Sequence, residues 1–346
     1  MLFLKTLDNA TKIRLINISD FKQKQTIKEK IEFLLNFAIL APSTHNSQPW
    51  SFIIKDNTLK IVYDNSINIK IADPDNRYKV MSLGCCFVNV IIAAAYYNFL
   101  ESYSYNEQND KIELVIVFGK VTNIPAFYSN ELFFQILKRK NSRGVFKSEK
   151  FNRFQLNNIK SVNIFKNIKI DIIDDNKKIN SIASLTKKVL KELYSEKEFR
   201  LEWAKWIKTP FSKNMKGISS LELKPSVVLS PIIPIVMRYF NVSKKASNLV
   251  GTMIKSSAIA IVLSSNDLNK LSFIEGGMLA ELLMLKIQSM GFQTSIAVAA
   301  LSNPESKAKL MNELGINEEP IFIFFAGKME ESKYLSTRVE YNHILN

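Results

Sequence analysis

Long and short periods of apolar residues alternate along this chain. Ile27, Ile31, Leu34, Leu35 and Ala38 recur at helical spacing behind Thr26-Ile27-Lys28-Glu29, which has the form of a capping box. A helix is therefore predicted from Ile27, stopped by Pro42. "SFIIK" and "LKIVY" alternate on either side of Asp56-Asn57 and predict a β-hairpin. From about Tyr78 to Leu100 the pattern is that of a buried helix, and "KIELVIVFGK" reads as a core strand. A helix near 130–140 leads into "KRKNSRGVF". Residues 150–250 carry no clean period: short strands, a charged helix near 184–206, then a Pro-rich apolar stretch. "SSAIAIVLSS" is a buried strand, 270–291 a long helix, "SNPESKAKLMNELG" a helix with Pro304 early and Gly315 as its stop, and "PIFIFFAGK" another core strand.

Two of these pieces look alike. "GCCFVNVIIAAAYYNF" runs from Gly84 to Phe99 and "GMLAELLMLKIQSMGF" from Gly277 to Phe292, 193 residues apart at both ends. Each precedes a strand ending in Gly-Lys, at Gly119-Lys120 and Gly327-Lys328, now 208 residues apart. The second copy thus has extra residues between helix and strand. The pattern fits two related halves about a pseudo-two-fold axis, like a homodimer fused into one chain. Asn89 and Glu281, in matching places of the two helices, are expected to form helix-interface hydrogen bonds.

Composition narrows the picture. The 346 residues suggest about two domains, and 47% apolar with 23% charged residues excludes a disordered chain. A net charge of +15 first suggests nucleic acid or an anionic surface. The lysines, however, stand singly among Ile and Asn, as in "KIRLINISDFKQKQTIKEK", which reads as compositional bias. No nucleic-acid partner is expected; steeply salt-dependent DNA binding would be its signature. A positive field still favours capture of phosphate-bearing small molecules. Cys85 and Cys86 are adjacent, badly placed to bridge each other, and match no metal or redox spacing. A reduced, cytoplasmic setting is the reading. "MLFLKTLDNATKIRL" has too short an apolar run for a signal peptide, and Cys85–Leu100 is too short to span a bilayer, so no stable membrane insertion is expected. "PSVVLSPIIPIVMRYF", broken by Pro225, Pro231 and Pro234, reads as an ordered cover: Val227, Val228, Leu229, Ile232, Ile233, Ile235, Val236 and Met237 are too apolar for a free loop. A cap on a core and contact with a membrane are its alternatives.

"APSTHNSQPWSF", residues 41–52, carries the chemistry. A solvated loop needs no Trp, and a core segment would not hold Ser43 to Gln48 in a row. The mixture suits a ligand that is flat and apolar in one part and rich in acceptors in another. Here the sequence resembles the nitroreductase family, whose flavin-binding loop reads Pro-Ser-x-x-Asn-x-Gln-Pro-Trp; Pro42, Ser43, Asn46, Gln48, Pro49 and Trp50 fill those positions. The Ser-Thr-His-Asn form and "ADPDNRYKVMSLGCC" resemble the Acg-like subgroup, in which one chain contains two nitroreductase-like halves. The resemblance covers roughly residues 26–346.

It implies an α+β, nitroreductase-like fold, with central mixed or antiparallel sheets flanked by helices and two pseudo-symmetric halves in one chain. The first half would span 1–125 and the second 126–346, with a lid-like insertion at about 210–250 whose stretch 225–240 covers the flavin. It implies FMN as cofactor, NADH or NADPH as electron donor, a small-molecule substrate, no metal, and a monomer with an internal pseudo-dimer. Asn46 and Gln48 would read the isoalloxazine rim, and Pro42, Ser43 and Thr44 would lie along it, the two hydroxyls reaching ribityl or phosphate oxygens. Trp50 would pack beneath the site. The family's Arg-x-Ser-x-Arg motif corresponds to Arg139, Asn141 and Arg143, with Asn141 where Ser is usual, and Arg338 in "LSTRVEY" fits a C-terminal phosphate contact. A backbone N–H near flavin N5 would come from Ser295 to Val298, with Ser295 and Ala297 as cofactor contacts; the acidic residue many members carry nearby is missing. No side chain is assigned as catalytic, since the flavin does the chemistry. His45 is read as a structural hydrogen bond with proton donation as its alternative, and His343 lies in a tail expected to fray. The functional readings are a nitroreductase-type oxidoreductase acting on nitroaromatics, quinones or activated alkenes, and a protein that sequesters FMN beneath a lid.

Overall fold

The computed structural model describes residues 4–108, 111–121, 124–223, 226–330 and 334–346; Pro225 lies outside them. Helix α1 (Lys5–Lys12) packs near the C-terminal tail, and α2 (Ile27–Ala38) starts where its sequence says it should. Thr26 Oγ1 accepts from the Glu29 amide at 3.1 Å while the Glu29 carboxylate accepts from the Thr26 amide at 2.9 Å, closing the capping box. Strands β1 (Trp50–Lys55) and β2 (Thr58–Tyr63) form the expected hairpin, with Lys55 opposite Thr58. Helix α3 (Arg77–Tyr96) follows, then β3 (Leu100–Gln108) and β4 (Lys111–Phe118). These four strands make an antiparallel sheet in the order β1-β2-β4-β3.

Downstream lie α4 (Asn130–Lys138), α5 (Arg153–Lys160), β5 (Lys169–Ile173), α6 (Asn176–Ser195) and α7 (Lys197–Trp206). The single helix expected near 184–206 is therefore two helices, separated where Glu196 takes extended backbone angles. Short β6 (Ile207–Lys208) and β7 (Ile218–Ser219) pair in parallel. Then come α8 (Ile233–Tyr239), α9 (Ser243–Lys255), β8 (Ile259–Ser265), α10 (Lys270–Ser289), β9 (Gln293–Ile296), α11 (Pro304–Leu314) and β10 (Glu319–Gly327). The second sheet is also antiparallel, in the order β5-β8-β10-β9. Numbered within each sheet, both orders read first-second-fourth-third, with a twenty-residue helix between the second and third strands. The insertion of α11 between β9 and β10 accounts for the larger offset of the second Gly-Lys pair.

The two long helices form the centre. Neither α3 nor α10 has a polar face, so both must be enclosed, and they pack on each other. A Cβ on Gly84 would stand 2.2 Å from the Ile274 carbonyl oxygen, and one on Gly277 would stand 2.0 Å from that of Met81. Ile274 and Met81 are themselves 193 residues apart, so the close contact is reciprocal at the offset of the repeat. At that offset Asn89 corresponds to Leu282, not Glu281, so the matching of those two polar residues was one position out. Helix α3 is long and apolar enough to cross a membrane, contrary to the length argument from the sequence, but 89% of its apolar window is buried inside the protein.

The C-terminal tail is ordered rather than frayed. Leu345 bridges Phe52 of β1, and the Phe52 amide donates to the Ile344 carbonyl at 2.9 Å. His343 sits in a short turn there and is exposed.

Candidate functional site

The loop between α2 and β1 has three non-glycine residues in the left-handed region: His45 (φ 52°), Asn46 (φ 55°) and Gln48 (φ 53°). Such conformations are strained for side-chain-bearing residues and persist only where the surroundings fix them. Here they are fixed from two directions. Asn46 Nδ2 donates to the carbonyls of Gly217 at 2.8 Å and Thr337 at 3.0 Å, and its Oδ1 accepts from Arg338 Nη1 at 2.7 Å. Gln48 Nε2 donates to Met215 O at 2.8 Å and its Oε1 accepts from the Val339 amide at 2.8 Å. Ser43 Oγ accepts from the Gln48 amide at 2.9 Å. The two amide side chains assigned to a flavin rim are thus spent on clamping the loop to residues 215–217 and 337–339. Gln48 is fully buried behind the loop. Trp50 is fully buried in the core below it, as expected.

Two arginines complete the clamp. Arg338 Nη2 donates to Leu40 O at 3.0 Å and Ala41 O at 3.1 Å, and Arg139 Nη2 donates to Leu40 O at 2.8 Å. Arg139 also pairs with Glu281, 3.1 Å away, and both are buried. Burial raises the Glu281 carboxyl above the usual range, against the pull of Arg139, Asn89 and Arg338. Burial, with Arg14 and Arg139 nearby, lowers Arg338 well below the ordinary arginine value. Glu222, also buried, accepts from the Ser219 amide and from Ser336 Oγ. Arg139 is paired with Glu281, and Arg338 is held by carbonyls and Asn46; both act on the loop.

A cavity of about 350 Å³ opens beside the clamp. Pro42, Ser43, Thr44, His45 and Asn46 line one side, and Arg139, Asn141, Arg143 and Arg338 come from the chain after α4 and from the C-terminal segment. Ala297 and Val298 line it beyond β9; Ser295 does not, because it lies within β9, paired with Phe325. Asn141 ties these pieces together: its Oδ1 accepts from the Ile296 amide at 2.9 Å. The sequence-derived residues therefore converge on one cavity, apart from Gln48 and Ser295.

Arg143 differs from the clamping arginines. It lines the cavity, and where the Nη atoms of Arg139 and Arg338 donate to carbonyls, no hydrogen bond or ion pair engages Arg143 among the described residues. His45 Nε2 and Arg77 Nη1 are likewise buried, unpartnered and on the cavity wall. Buried polar atoms are satisfied in most native structures, and those of His45, Arg77 and Arg143 on this cavity wall suit a ligand with polar edges. The residues fit FMN in this respect: a free forked cation for a phosphate, apolar walls, and polar atoms awaiting partners. Arg77 was not singled out from the sequence. The rule that arginine is informative in a lysine-rich chain would have found it, since it stands in "ADPDNRYKV".

The roof is not the Pro-rich stretch. Leu190, Leu193 and Tyr194 of α6 and Phe199 and Trp203 of α7 face the cavity, whereas none of the described residues 226–240 does. His45 meets Trp203 edge-on, with ring centroids 5.6 Å apart. Glu202 fastens α7 by accepting from the amides of Ile71 and Ala72. Val228 is 84% exposed, and Val227, Leu229, Ile232 and Ile235 are also exposed. The stretch expected to cover a flavin packs instead on α7 and β6, with Met237 and Ile233 in a small cluster that includes Phe199 and Ile207.

Burial, aided by the charge of Arg143, lowers His45 to about 4. The unfolded chain then binds more protons than the fold between pH 6.5 and 4, so this stability is present above pH 6.5 and is lost as pH falls through that window. Asp73, at the start of α3, acts oppositely: burial raises it to about 6 against the donated amides of Tyr78 and Lys79, so its ionisation destabilises the fold as pH rises from about 4 to 6. We expect the stability difference between wild type and His45→Gln to be constant above pH 6.5 and to move in the variant's favour down to pH 4. Denaturant midpoints measured across pH check this; a difference that is flat throughout would contradict it.

No family model matches the chain. Two curated relatives from Mycobacterium tuberculosis, strains H37Rv and CDC 1551, are named as candidate NAD(P)H nitroreductases and are each 30% identical over 67 residues, 19% of this chain. The matched stretch spans about a fifth of the length of those relatives. Among solved structures, the NADPH:FMN oxidoreductase of Vibrio harveyi complexed with NAD+ is 14% identical, covering 60% of this chain and 73% of its own, with a TM-score of 0.37. An FMN- and NADPH-dependent nitroreductase from a Sphingopyxis strain is 13% identical, covering 61% and 95%, with a TM-score of 0.40. The curated relatives carry the same resemblance as the loop at residues 42–50: this chain is similar to NAD(P)H nitroreductases.

Proposed function

We propose that the chain binds one FMN in this cavity and works as an NAD(P)H-dependent oxidoreductase. Electrons would come from NADH or NADPH and go to a nitroaromatic, quinone or activated alkene in a ping-pong cycle. The observation that carries the reading is Arg143, engaged by no hydrogen bond or ion pair among the described residues and lining one cavity with the loop 42–46. When bound, FMN supplies the hydride chemistry. The chain's own residues hold and shield it. Arg143 takes the phosphate and Arg77 a second polar edge, while Ser43 and Thr44 offer hydroxyls. Asn141 fixes the stretch leading to Ala297 and Val298 against the ligand. Arg139, Arg338, Asn46 and Gln48 position the loop. His45, lowered to about 4, is neutral at pH 7 and is an acceptor or donor through Nε2, with no charge to contribute. The loop belongs to a first half, 1–125, and Arg143 to a second, 126–346; the shared strand order and the reciprocal glycine contact support this division. One chain then completes the site as a monomer with an internal pseudo-dimer.

A second reading, that FMN is sequestered with little turnover, is favoured by one observation: Tyr194, Phe199 and Trp203 line the cavity with aromatic rings that would hinder a second flat ligand.

Arg143→Ala tests FMN binding. It removes a charge-assisted phosphate contact worth about 1.5–3 kcal/mol, so FMN affinity should fall roughly 10- to 100-fold. The apo-protein's melting temperature should barely change, because no hydrogen bond or ion pair engages Arg143 among the described residues. Isothermal titration with FMN reads the first quantity. Unaltered affinity would remove Arg143 from the site.

A further inference from the structure

The apolar segment that fails to cover the cavity is itself uncovered. Val227, Val228 and Leu229 form a turn before α8; Ile232, Ile235 and Tyr239 continue outward at helical spacing, and Phe240 follows, 62% exposed. The opposite side of α8 is already satisfied, since Met237 and Ile233 join a buried cluster with Phe199 of α7 and Ile207 of β6. This helix is therefore apolar on two faces, and only one has a partner. Contiguous exposed patches of this kind mark interaction sites.

Charge identifies what could cover it. No Asp or Glu occurs between Glu222 and Asp267, while Lys224, Arg238, Lys244, Lys245 and Lys255 do. Among the described residues, Arg238, Lys244 and Lys245 are exposed beside the patch, and Arg238 lies 5.6 Å from the Tyr239 ring centroid. A second copy docked by a two-fold contact would set these cations against their own images. An anionic bilayer suits both features: apolar side chains enter the acyl boundary, Tyr239 sits at headgroup depth, and the cations meet lipid phosphates. We propose that residues 227–245 form a docking surface by which the chain lies on an anionic membrane without spanning it. The chain-wide charge of +15 adds long-range attraction to such a surface.

Cosedimentation of the full chain with vesicles tests this. Vesicles of phosphatidylcholine containing about a third phosphatidylglycerol should bind the protein about tenfold better than phosphatidylcholine alone, less so at high salt. Val228→Asp and Ile235→Asp should each lower binding to the mixed vesicles about tenfold. Both side chains are exposed, so melting temperature should hold. Lys244→Glu with Lys245→Glu should abolish the preference for the anionic lipid. The proposal is overturned if wild type ignores anionic vesicles or if the Asp variants bind as wild type does. It is also overturned if sedimentation shows the patch buried in a homodimer that Val228→Asp dissociates.

Discussion

Arg139→Met should destabilise the protein by about 3–5 kcal/mol, the loss typical of breaking a buried ion pair from one side. Glu281 is fully buried on α10 and would lose the nearest cation to its carboxylate. The loop would also lose the bond from Arg139 to the Leu40 carbonyl. Equilibrium unfolding in urea measures the loss. The double variant Arg139→Met with Glu281→Gln should recover a large part of it, because the uncompensated buried charge is then gone, while the bond to Leu40 stays lost. A single variant that loses less than about 1 kcal/mol would show that Glu281 is neutral in the fold, and the clamp would have to be redrawn.

Gly277→Ala should rank beside it. The new Cβ would meet the backbone oxygen of Met81 at 2.0 Å, and backbone cannot swing aside as a side-chain tip can. Helices α3 and α10 would have to separate, at a cost of about 3 kcal/mol or more, far beyond the ~1 kcal/mol that alanine gains over glycine in helix propensity. Gly84→Ala should cost a similar amount, since its Cβ meets the Ile274 oxygen at 2.2 Å. Gly276→Ala is the control: its nearest neighbour is the terminal Cδ1 of Ile321 at 2.7 Å, which can turn away. Thermal or urea unfolding of the three variants should therefore place Gly276→Ala clearly above the other two. Equal losses would remove the special role of the helix crossing.

These two sites show how far the sequence could be read. The glycines were visible as the first residues of two similar apolar stretches at a common spacing, while the contact they make needs three dimensions to be seen. The helix cap at Thr26, the hairpin at Asp56-Asn57 and the strand 259–265 were equally legible, because each depends on local chemistry or on burial of every face. Strand β3 was not. Tyr103 and Tyr105 turn partly inward between Ser102, Ser104 and Asn106, an edge pattern too polar to stand out. The break between α6 and α7 was hidden as well, since no Pro or Gly marks Glu196.

The candidate site divides in the same way. Loop 42–50 could be named from its residues, and Arg143 and the stretch after β9 only through the family resemblance. Which amides face a ligand could not. Asn46 and Gln48 carry the donors and acceptors a flavin rim would want, yet Gly217, Met215, Thr337 and Val339 are distant in sequence and claim them first. The roof was misplaced because apolarity reports that a segment needs covering, not what it covers: 225–240 and α7 are both rich in large apolar residues, and only the latter reaches His45.

The account stands most directly on anaerobic mixing of FMN-loaded protein with NADPH, followed by flavin absorbance. It predicts one FMN retained per chain and bleaching of the oxidised spectrum within the time of enzymatic turnover. A protein that retains no flavin would contradict the assignment of the cavity. One that retains FMN whose oxidised spectrum persists with both NADPH and NADH would contradict the oxidoreductase and leave a flavin carrier.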